Sequence, residues 1–236
     1  MKNKNKHSKN SFDLNESLHK IIIFLCVIVL SPALLLVFNA VFPKEKTVVE
    51  KIEVEKIVIP DNLLFVGDSI TYNFDLEGCF KDMPVVNSGR NANQTTDILD
   101  NLKSRIYDYN PSKIFLLIGT NDIDQRKSTD EIFGKTKEII KKIKENRSEA
   151  KIYIQSVYPV NESDKYDGPK NRTNEKIEEL NQRLEEYCKK EKIIFIDLYS
   201  ELVDEDGQLK EEYTTDGLHI SEEGYEIITE VLKEYL

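Results

Sequence analysis

The chain of 236 residues is 39% hydrophobic and 32% charged, with a net charge of −10. Its length allows one domain with a full core, or two small ones, and its composition excludes wholesale disorder. The acidic balance argues against a nucleic-acid partner, which calls for a basic face.

Residues 1–20 run against the overall charge, with Lys2, Lys4, Lys6, Lys9 and Lys20 facing only Asp13 and Glu16. From Ile21 to Phe42 no residue is charged. As a helix that stretch spans roughly 33 Å, against about 30 Å of bilayer hydrocarbon. Pro32 is tolerated in a membrane helix. Phe38, Asn39 and Ala40 make a poor signal-peptide cleavage site, and Leu25 before Cys26 does not fit a lipoprotein signal. The expectation is an uncleaved transmembrane anchor at 21–42, with the basic tail 1–20 held in the cytoplasm by the positive-inside rule. The protein is then single-pass in the cell membrane, with its body extracytoplasmic. Residues 43–61, "PKEKTVVEKIEVEKIVIPD", read as a linker or stalk.

The body, 62–236, alternates apolar runs of strand length with helical patterns. The runs are "LLFVG" (63–67), "PVVN" (84–87), "KIFLLIG" (113–119), "KIYIQSV" (151–157) and "KIIFIDL" (192–198). They show little polar alternation, as expected of strands covered on both faces. Helical spacing of apolar residues marks 95–109, 129–147, 171–191 and 221–236, the last opening on Ser221 as N-cap. Strand–helix alternation predicts right-handed parallel crossovers and a three-layer α/β/α sandwich, as one domain. Cys79 and Cys188 are expected as free thiols, because three widely spaced cysteines form neither a disulfide framework nor a zinc signature.

Ligands of such sheets bind beyond the carboxyl ends of the strands. There the chain places Gly67-Asp68-Ser69, Asn87-Ser88-Gly89-Arg90, "GTND" (119–122) and, past the fifth strand, "TTDGLHIS" (214–221). His219 is the one imidazole of the body, since His7 and His19 lie in the tail. An acid three residues before it, Asp216, is placed to fix its tautomer, leaving the other ring nitrogen to take a proton from Ser69. The Ser69 and Gly89 backbone N–H groups and the Asn121 amide are candidate oxyanion donors. Asp122 is read as a brace for its turn. Tyr72 and Tyr158 are candidate rings for stacking on a sugar.

These residues resemble the SGNH hydrolases, a branch of the GDSL esterases and lipases. The serine, glycine, asparagine and histidine blocks of that family correspond to Ser69 in "GDSI", Gly89 in "NSGRN", Asn121 in "GTND" and His219 in "DGLH", and the resemblance covers about 62–236. It implies a flavodoxin-like, five-stranded parallel sheet and metal-free ester hydrolysis through an acyl-serine, with Asp216 orienting His219. Two departures stand out. Ile70 replaces the family leucine, and "RNANQTT" follows Gly89 where the family often has a second glycine. The expected function is an esterase removing a small acyl group, such as acetyl, from a carbohydrate or envelope glycan. Competing readings are an acyltransferase, a lysophospholipase and a noncatalytic glycan-binding module. No phosphate-binding glycine loop or cluster of metal ligands is present in the sequence, so no cofactor is expected.

Overall fold

A computed structural model describes residues 62–236. The basic tail, the expected anchor at 21–42 and the linker at 43–61 lie outside the described residues. Among the described residues, no helix is long and apolar enough to cross a membrane.

Five strands are present: β1 (Leu63–Gly67), β2 (Val85–Gly89), β3 (Lys113–Leu117), β4 (Lys151–Gln155) and β5 (Ile194–Ile196). They form one parallel sheet in the order β2-β1-β3-β4-β5. The chain moves outward from β1 to β2 and then returns to the other side of β1 for β3. That reversal creates a crevice between the ends of β1 and β3, where ligands of open α/β sheets bind.

The main helices are α1 (Ser69–Asn73), α2 (Leu76–Cys79), α3 (Thr95–Asp100), α4 (Leu102–Arg105), α5 (Thr120–Asp124), α6 (Thr129–Asn146), α7 (Asn174–Glu191), α8 (Tyr199–Leu202) and α9 (Glu222–Lys233). Local chemistry fixes several of their starts. Ser128 and Glu131 form a capping box at α6. Thr173 caps α7, and Ser221 caps α9 by accepting from the Gly224 N–H. The pattern read as one helix over 95–109 is broken at Asn101, whose φ of −123° lies outside the helical range. A 3₁₀ turn at Tyr107–Tyr109 ends it.

Each face of the sheet has its own core, because alternate strand residues point to opposite sides. Leu64, Val66, Ile114, Leu116, Ile152 and Ile154 meet α3, α4, α6 and α7. Leu63, Phe65, Phe115, Leu117 and Tyr153 meet α1, α2 and α9. On this second face Phe65, Phe115 and Tyr153 occupy one register row and stack ring on ring, with centroids 4.6 Å apart at both steps. The three-layer architecture and the five parallel strands agree with the expectation. Cys79 and Cys188 are free thiols.

Candidate active site

The sharp turn at the end of β1 explains "GDSI". A Cβ on Gly67 would lie 2.1 Å from Thr71 Oγ1 and 2.5 Å from the Leu117 carbonyl, so the backbone there passes too close for any side chain. Asp68, fully buried, caps α1 by accepting from the Ile70 N–H at 2.9 Å. Ser69 is therefore the first residue of a helix, and it lines the cleft. The second Asp68 oxygen has no partner. Burial is the largest influence on this carboxyl and pushes its pKa up to about 6.

Ser69 Oγ lies 3.1 Å from His219 Nε2. On the far side of the ring, His219 Nδ1 lies 2.7 Å from Asp216 Oδ2. The other Asp216 oxygen accepts from the Leu218 and His219 N–H groups at 3.0 and 2.7 Å. Burial pulls the Asp216 pKa upward, but these hydrogen bonds outweigh it and leave the carboxyl below its ordinary value. Asp216 thus accepts the Nδ1 proton, and Nε2 is left to accept from the serine. The loop is locked as well: Thr214 Oγ1 donates to the His219 carbonyl at 2.8 Å and accepts from the Gly217 N–H at 2.9 Å.

Asn121 comes from the start of α5, just past β3. Its Nδ2 donates to the Asn93 carbonyl at 3.0 Å, and its Oδ1 accepts from Arg172 Nη2 at 2.8 Å. Asp122 is fully buried. It accepts from the Thr95 N–H and hydroxyl and from Lys127, bracing the turn as the sequence suggested.

Gly89 is not brought to this cleft. β2 runs two residues beyond the apolar run, so Gly89 pairs with Gly67 inside the sheet. Its N–H donates to Asn87 Oδ1 at 2.8 Å, and a Cβ there would lie 2.2 Å from the Tyr72 nitrogen. The backbone that reaches the cleft instead is Ala92, which lines it with Ser69, Asn121 and His219. Ala92 has a φ of +59°, the left-handed conformation that favours glycine, and its N–H has no acceptor among the described residues. No residue type in "RNANQTT" signals that conformation; only the expectation of a second glycine near this point hinted at it.

Tyr158 is buried and its hydroxyl donates to Gln155, so it is not at the surface for stacking. Tyr72 is 57% exposed. The cleft has a volume of about 590 Å³, and the amides of Asn73, Asn91, Gln94 and Gln125 form much of its wall. Arg172, at its floor, was missed by sequence reasoning because the helical pattern was read from 171; α7 starts at Asn174 and leaves Arg172 in the preceding loop.

The chain is similar to known proteins. A family model described as GDSL-like lipase/acylhydrolase matches residues 65–227. A solved structure from Streptococcus pneumonia, described as a platelet activating factor, is 37% identical, covers 77% of this chain and 86% of its own, and has a TM-score of 0.71. A GDSL-like lipase from Bacteroides thetaiotaomicron is 27% identical, with 74% and 87% of the two chains covered and a TM-score of 0.66. Among curated proteins, an N-acylneuraminate cytidylyltransferase from Streptococcus agalactiae is 26% identical over 169 residues, 70% of this chain. One from Escherichia coli is 35% identical over 124 residues, 51% of this chain. The chain spans only 36% and 27% of the length of these two curated relatives.

Proposed function

The chain belongs to the GDSL-like lipase/acylhydrolase family, whose members hydrolyse ester bonds, and we propose that it is a serine esterase acting on small acyl esters of a carbohydrate. The observation that carries this reading is the continuous relay from Ser69 Oγ through the His219 ring to Asp216, with contacts of 3.1 and 2.7 Å.

In this reading the Ser69 oxygen attacks the ester carbonyl as its proton passes to His219 Nε2. The Ser69 and Ala92 N–H groups and one Asn121 amide N–H receive the oxyanion. Collapse of the tetrahedral intermediate expels the alcohol, which takes the proton back from His219. Water then attacks the acyl-serine by the same route, releasing the acid and restoring the serine.

The wall of the cleft supports a polar substrate. Side-chain amides both donate and accept, which suits the hydroxyls of a sugar. The apolar residues of this lining are Ala92 and Leu218, too few to hold a fatty chain within the cleft. The neuraminate in the names of the curated relatives adds a carbohydrate context. The uncharged stretch 21–42 and its flanking lysines support an anchored enzyme with its site outside the cell membrane.

The test is hydrolysis of 4-nitrophenyl acetate, 4-nitrophenyl decanoate and O-acetylated sugars by wild type, Ser69→Ala and His219→Ala. The reading requires acetyl to exceed decanoyl turnover and both variants, still folded, to lose it. Equal turnover by wild type and variants overturns it. Membrane fractionation with and without residues 1–42 tests the anchor.

A further inference from the structure

We propose that Arg172 is a positioning residue for the oxyanion side of the site, acting through Asn121. The inference rests on the ester-hydrolase reading above.

Arg172 is only 4% exposed, and all three of its guanidinium nitrogens are occupied. Nε donates to the Thr120 carbonyl at 3.1 Å and to Thr120 Oγ1 at 3.0 Å. Nη1 donates to the Pro169 and Gly168 carbonyls at 3.2 and 3.3 Å and pairs with Asp124 at 3.4 Å. Nη2 is committed to Asn121 Oδ1 at 2.8 Å. The planar fork thus grips both the backbone before Asn121 and the end of its side chain.

The consequence concerns the amide's direction. The terminal torsion of an asparagine is broad and roughly two-fold, so an unheld amide presents its oxygen as readily as its nitrogen. An oxygen facing the cleft would repel the developing oxyanion. Here the cation holds Oδ1, and the Asn93 carbonyl holds one hydrogen of Nδ2 at 3.0 Å. The remaining Nδ2 hydrogen is the one left for the substrate. A positive group on Oδ1 also polarises the amide and strengthens that donor.

The same loop reaches the acid of the relay. The Gly168 carbonyl accepts from Arg172, while the Gly168 N–H donates to the Asp216 carbonyl at 3.1 Å. Arg172 is therefore linked to two parts of the machinery, and an effect through Asp216 has to be separated from one through Asn121.

A double-mutant cycle makes that separation. The full chain, with Arg172→Met, Asn121→Ala and both together, is assayed for kcat and KM on 4-nitrophenyl acetate, with folding checked by thermal melting. Arg172→Met alone is expected to lower kcat by roughly 10–100-fold with KM changed by less than about two-fold, as for loss of a transition-state donor. In the Asn121→Ala background the same change is expected to cost less than about three-fold. An equal loss in both backgrounds, or no loss in either, overturns the inference. If Arg172→Met does not fold, Arg172→Lys takes its place in the cycle, because an ammonium keeps the charge but cannot grip Thr120 and Asn121 together. Activity surviving in Ser69→Ala would instead sink the esterase reading, independently of Arg172.

Discussion

Thr95 gives both its hydrogen-bond donors to Asp122, the backbone N–H at 2.9 Å and the hydroxyl at 2.7 Å. This pairing joins the start of α3 to the start of α5. It fixes the Ala92–Asn93 turn against Asn121, so that two candidate oxyanion donors from distant parts of the chain share one wall. Asp122 is fully buried, and Lys127 reaches it at 2.8 Å. Asp122→Ala leaves those donors without an acceptor and is expected to cost about 2–4 kcal/mol of stability. Urea denaturation measures it, and a loss below about 1 kcal/mol would contradict this account.

Asp216 holds the His219 ring by one oxygen and the His219 backbone by the other. Asp216→Asn keeps the size but loses the charge and favours the wrong tautomer. The expected fall in kcat is about 10²–10⁴-fold, with the melting temperature little changed. A variant retaining a tenth or more of wild-type kcat would show that the ring is oriented by something else.

Gly89 and Ala92 give opposite predictions for a single methyl group. Gly89→Ala pushes a Cβ to 2.2 Å from the Tyr72 nitrogen, against backbone that cannot step aside. It should destabilise the domain severely, by about 3 kcal/mol or more. Ala92→Gly relieves a left-handed residue and should stabilise by about 0.5–1 kcal/mol, with kcat within a few-fold of wild type because the N–H remains. Thermal melts of the two variants moving in the same direction would refute the assignment.

The buried Asp68 carboxyl predicts a pH effect. Its pKa rises from 3.8 to about 6 on folding, so the native state holds this proton more tightly than the unfolded state. Stability from this group is full below pH 3.8 and is lost as pH rises toward 6. Asp68→Asn keeps an oxygen for the Ile70 N–H and carries no charge. Its stability relative to wild type should therefore grow between pH 4 and pH 7, by about 1–3 kcal/mol. Asp216 runs the other way, its depressed pKa contributing stability that is lost in acid, which is why the comparison is made at each pH. A difference that does not change with pH would refute the prediction.

Much of this arrangement was legible in the sequence for a physical reason. Ser69, Asn121 and His219 each follow a strand or turn signal; any one of them alone could serve a cap or a turn, and it is their order along successive exits that points to one site. Gly89 was misread because β2 continues through Asn87 and Ser88, which are polar yet still paired with β1. Ser88 belongs there because Arg105 from α4 donates to its hydroxyl at 3.1 Å, a long-range contact with no local signature. Ala92 was silent because a left-handed alanine looks like any other alanine. Arg172 lay in a polar stretch where the helical pattern was read from residue 171, three residues before the helix begins.

The ring stack across β1, β3 and β4 limits how this scaffold can diversify. Phe65, Phe115 and Tyr153 lock three strands in one row, and a slip of a single residue would turn the rings onto the opposite face. The strand ends that carry Ser69 and Asn121 consequently stay level with each other whatever the loops above them do. New substrate preferences are therefore to be sought in the side chains of the cleft wall, Asn73, Asn91, Gln94 and Gln125, while the strand sequences and the Ala92–Asn93 turn are kept fixed.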